Sequence, residues 1–77
     1  MTSIPVERLR TTLLGEKRIK HNLSLKTDDV MEWCRSAVSK ADEKSIIAKG
    51  KNLYVYGKGY VLTINARSKT IITANKR

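Results

Sequence analysis

The chain has 77 residues, a formal net charge of +9 and 40% hydrophobic residues, which fits one small domain with a thin core better than a disordered polycation. Its one cysteine, Cys34, excludes an intramolecular disulfide and a cysteine-built zinc site, and suits a reducing compartment. No run approaches the roughly 20 apolar residues of a membrane span, and the N-terminus lacks a basic stretch followed by an apolar one, so a cytoplasmic location with no membrane partner is expected.

Pro5 suits the first turn of a helix, where its missing N–H needs no partner, and Val6, Leu9 and Leu13 follow at i, i+3 and i+7. The pattern predicts helix over about 5–22 in two stretches with a break, Gly15 either ending the first as a left-handed cap or being crossed at a cost of about 1 kcal/mol. A second helix is predicted over about 27–41. Thr27 is placed to cap it, Asp28 and Asp29 put negative charge on its positive first turn, and Val30, Trp33, Cys34, Ala37, Val38 and Ala41 share one face. On that stripe Cys34 reads as a small buried hydrophobe.

After Glu43 the period changes from 3.6 to 2. Strands are predicted at Ser45 to Ala48, Leu53 to Tyr56, Tyr60 to Asn65 and Thr70 to Asn75, within about 45–75, because these runs are rich in Ile, Val, Tyr and Thr and are split by turn-forming residues. The short connections force antiparallel neighbours. The expected fold class is therefore α+β, with N-terminal helices packed on a four-stranded antiparallel meander in a single domain spanning 1–77.

All seven acidic residues lie within the first 43 positions, whereas Lys44 to Arg77 carries eight Lys and Arg. A field of one sign draws polyanions, so the expected partner is nucleic acid, RNA in preference to DNA, or an acidic protein. Alternate turns of a meander lie at the same end of the sheet. Lys49 and Lys51 should therefore join Arg67 and Lys69, with turn centres about 10 Å apart, while Lys44, Lys58, Lys76 and Arg77 gather at the other end. Gly50, Gly57 and Gly59 read as turn formers, since no phosphate-loop motif surrounds them. Tyr54 and Tyr56 share a face opposite Leu53 and Val55. If the helices cover Leu53 and Val55, both tyrosines are free to stack bases; with the inverse register they are core residues.

For chemistry, His21 is the only histidine, so a two-histidine mechanism is excluded, but His21 with cationic partners meets the minimum for metal-independent RNA cleavage. In that case His21 and Arg67 are the candidate catalytic residues, with Arg67 and Lys69 clamping phosphate. Asp28-Asp29 and Asp42-Glu43 sit at helix ends, where capping and dipole effects account for Asp28 and Asp29, so a carboxylate-metal nuclease is disfavoured. No cofactor or metal motif is expected.

Through Arg18-Ile-Lys-His-Asn-Leu-Ser-Leu, Asp29-Val-Met-Glu-Trp-Cys, Lys49-Gly-Lys-Asn and Thr63-Ile-Asn-Ala-Arg-Ser-Lys-Thr-Ile-Ile-Thr-Ala-Asn-Lys, the chain resembles a small bacterial family of unknown function over about residues 13 to 77. More distantly, its order of elements is similar to the ribonuclease-toxin fold of barnase, RelE-type toxins and colicin tRNases. RelE-type enzymes often use a late aromatic residue, and none follows Tyr60 here. The leading expectation is a nucleic-acid-binding protein contacting phosphates through Lys49, Lys51, Arg67 and Lys69 and bases through Tyr54 and Tyr56. The alternatives are a toxin-type endoribonuclease and a module docking an acidic partner.

Overall fold

A computed structural model describes residues 4–77. Pro5 precedes a 3₁₀ turn, Val6–Arg8, and not an α-helix. Leu9 is buried, and Arg10 pairs with the edge of the sheet: its N–H donates to the Lys69 carbonyl at 3.1 Å and its carbonyl accepts the Ile71 N–H at 2.7 Å. Thr11 Oγ1 adds a bond to the Ile71 carbonyl at 2.9 Å. Tertiary pairing thus overrides the helical spacing of Val6, Leu9 and Leu13, and Leu13 ends 79% exposed.

The first α-helix, α1, is Leu13–Leu23. Thr12 caps it by accepting the Gly15 N–H at 2.9 Å, so Gly15 lies inside the first turn and does not break the helix. Helix α2 is Val30–Lys40. Its cap is Asp29, which accepts the Glu32 N–H at 3.0 Å, while Thr27 accepts the Asp29 N–H one step earlier at 3.2 Å. The expected apolar stripe forms, with Val30, Cys34, Ala37 and Val38 buried.

The strands are β1, Ile46–Lys49, β2, Asn52–Gly57, β3, Tyr60–Asn65, and β4, Ile71–Lys76, antiparallel and adjacent in chain order. The α+β meander is therefore the architecture of this chain. Gly50 opens the two-residue β1–β2 turn at φ 63, a left-handed conformation that suits glycine in a tight hairpin. Both helices pack on the face formed by Leu53 and Val55 of β2, Leu62 and Ile64 of β3, and Ile71 and Ala74 of β4, all buried. Ile71 and Ala74 share that face despite their odd spacing because a bulge intervenes: Thr63 pairs with Thr73 and Ile64 with Ile71, leaving Ile72 as the extra residue. Asn22 at the end of α1 fastens the helix to β4, its amide donating to the Ala74 carbonyl at 3.0 Å.

Candidate functional site

Because Leu53 and Val55 lie under the helices, alternation turns Tyr54 and Tyr56 to the uncovered face of the sheet. The register places Ile47 beside Tyr54, Thr63 on its other side and Thr73 beyond, while Val61 neighbours Tyr56. Ile47 is 49% exposed and the bulge residue Ile72 41% exposed, so this face carries apolar, aromatic and hydroxyl groups over which no element of the described residues packs. Tyr60 has the opposite fate. It stands edge-on to Trp33 of α2, with ring centroids 5.0 Å apart, and burial pushes its phenol above the usual value. Gly57 leaves room for the Tyr60 ring, since a Cβ at this position would run into it.

Two depressions bring the cations to the uncovered face. One, of about 590 Å³, is lined by Lys49, Lys51, Tyr54 and Tyr56 together with Ile47, Gly50 and Asn52. The second, of about 410 Å³, lies between the first and third turns and is lined by Lys51, Asn65, Ala66 and Arg67. These turns are tied directly, the Ala66 N–H donating to the Lys51 carbonyl at 2.9 Å. Asn65 Oδ1 accepts the N–H groups of Arg67 and Ser68 at 2.9 and 3.0 Å. With these amides engaged, what the third turn offers an anion is the Arg67 side chain. Lys69 takes a left-handed conformation and its amine folds back onto the Ala66 carbonyl, outside both depressions.

The opposite end of the sheet holds a third depression of about 360 Å³, whose lining includes Lys40, Lys58 and Arg77 beside Tyr56 and Asp42. Arg77 lies over the Tyr56 ring, its guanidinium carbon 5.0 Å from the centroid, and Nη1 donates to the Gly57 carbonyl at 3.2 Å. The meander topology announced Lys58 and Arg77 at this end. Lys40 was not foreseeable, because its arrival depends on how α2 docks.

His21 is exposed on α1 and lines none of these depressions. Its neighbour Asn22 is anchored on Ala74, about four strand residues, or about 13 Å, along β4 from the turn that carries Arg67. The fold therefore groups Lys49, Lys51, Tyr54, Tyr56 and Arg67, and leaves His21 on another element. The paired carboxylates have structural partners. Asp28 meets Lys20 at 2.9 Å, and that hydrogen bond holds its carboxyl below the usual range, while Asp29 and Asp42 cap the helical segments that follow them. Among the described residues, no three His, Cys, Asp or Glu side chains come together as metal ligands, and no helix is long and apolar enough to cross a membrane. Cys34 is buried against the core, and desolvation, with the nearby Glu16 charge, pushes its thiol up to about 12.

The chain belongs to the family described as "Protein of unknown function (DUF3781)", whose model matches residues 3–75. No curated protein and no solved structure matches it, so the likeness to the ribonuclease-toxin fold has no support beyond the order of elements.

Proposed function

We propose that this family member is a nucleic-acid-binding protein, with RNA its preferred ligand, and that the uncovered face of the sheet is its binding surface. The observation that carries this reading is the placement of Tyr54 and Tyr56 in one depression with Lys49 and Lys51, with Arg67 entering from the adjoining turn. Phosphates take the cations, and a tyrosine ring beside them takes a base face. Thr63 and Thr73 add hydroxyl groups on the same face, the kind that meet base edges and ribose hydroxyls. Binding is favoured over cleavage because His21 stands apart from this cluster.

The test is a salt-dependent titration of a mixed-sequence RNA with the natural chain and with Lys49→Ala/Lys51→Ala/Arg67→Ala. The triple variant should bind more weakly, and its dependence of log affinity on log salt should flatten by about 0.7 for each phosphate of a single strand that the variant no longer neutralises. Equal affinity and equal slope would refute the placement of the site.

A further inference from the structure

The uncovered face has a direction as well as a charge. Lys49, Lys51 and Arg67 stand at one end of β2; at the other, Arg77 lies over the Tyr56 ring, and Lys58 lines a depression that this end of the sheet shares with α2 and Tyr60. Between them the six residues Asn52–Gly57 span about 20 Å, with the two tyrosines on the same side of one strand, about 6.7 Å apart. Rings set side by side on an uncovered sheet face accept only bases whose faces are free. In a duplex those faces are covered by neighbouring base pairs at about 3.4 Å, and an A-form helix offers a protein its phosphates, ribose hydroxyls and groove edges instead.

Resting on the function proposed above, we infer that the ligand is an unpaired strand laid along β2. Its phosphates are held at both ends and successive bases are spread over Tyr54 and Tyr56. A path of about 20 Å corresponds to a footprint of roughly four nucleotides, the low end for single-strand-binding folds. Tyr54 is the primary platform. The Tyr56 ring already carries the Arg77 guanidinium, so a base that reaches it displaces that cation toward the neighbouring phosphate. Tyr60 takes no part, being held on the helical face against Trp33.

The experiment compares four ligands by competition: a 12-nucleotide single strand, the same sequence as a duplex, a series of single strands from two to eight nucleotides, and polyglutamate. The proteins are the natural chain, Tyr54→Leu and Tyr54→Phe, each checked by thermal melting. The single strand should bind at least roughly tenfold tighter than the duplex, with affinity levelling off near four or five nucleotides. Tyr54→Leu should lose roughly tenfold while Tyr54→Phe, which keeps the ring, binds as the natural chain does. Equal or tighter binding of the duplex, or an unchanged Tyr54→Leu, would overturn the single-strand path while leaving nucleic-acid binding in place. Binding to polyglutamate but to neither nucleic acid would overturn both readings in favour of an acidic protein, and binding to none of the four would overturn both outright.

Discussion

The two faces of this sheet are written by the same alternation and end in opposite environments. Leu53, Val55, Leu62 and Ile64 are buried beneath the helices, whereas Tyr54, Tyr56, Val61 and Thr63, one step away along the same strands, and Ile47 beside them on β1 have no covering layer among the described residues. The charge distribution follows this division of labour. The first 43 residues carry eight cations against seven acidic groups, and the last 34 carry eight cations against none, so the segment that contains the helices is nearly balanced in charge while the segment that forms the sheet holds no acidic residue. A face that is partly apolar and yet spared a covering layer suits a ligand with both apolar and anionic parts, which describes a nucleic-acid strand.

The largest way to break the comparison is to cut into the helical face. Ile64→Ala should cost about 2–5 kcal/mol in a denaturant unfolding experiment, because the side chain is fully buried and its loss leaves a cavity. Thr63→Ala, its neighbour on the open face, should cost no more than about 1 kcal/mol. Gly57→Ala should cost about 1–3 kcal/mol, since the added methyl must push the Tyr60 ring off its seat against Trp33, and the near-ultraviolet dichroism of that aromatic pair should weaken with it.

A smaller effect concerns Cys34. Its thiol loses its proton near pH 9.0 when the chain is unfolded and only near 12 in the fold, so the native state is favoured below pH 9 and that advantage disappears as pH climbs toward 12. Unfolding midpoints should accordingly fall between pH 9 and 12, less steeply in Cys34→Ala, and the natural thiol should resist alkylation at pH 8 until denaturant is added.

Much of the arrangement was legible because turns and alternation are local. Short gaps, two of them containing glycine, dictated antiparallel neighbours, and neighbours in chain order dictated that the Lys49–Lys51 and Arg67 turns share an end. The choice of covered face was not legible, since Tyr54 and Tyr56 are as acceptable in a core as Leu53 and Val55; only packing against Ile19, Cys34 and Val38 decides it. The bulge at Ile72 has no glycine to announce it, and Lys69 takes a left-handed conformation that its residue type does not suggest. At the other end of the chain, Val6, Leu9 and Leu13 have helical spacing, yet the bonds of Arg10 to Lys69 and Ile71 win. Among the cations named for the candidate site, Lys69 differs in folding its amine onto the Ala66 carbonyl of its own turn, a contact that residue type and spacing do not announce. The far-end cluster of Lys40, Lys58 and Arg77 required a helix and a sheet to be docked before it existed.

The isoleucine methyl groups report on both faces at once. Ile47 and Ile72 lie on the open face, and Ile19, Ile64 and Ile71 lie in the core. In a methyl-labelled NMR titration with a short single-stranded RNA, the Ile47 signal should move most and Ile72 with it, while the three core signals stay in place. Shifts confined to the helical side, with Ile47 and Ile72 unmoved at saturation, would contradict binding at the open face.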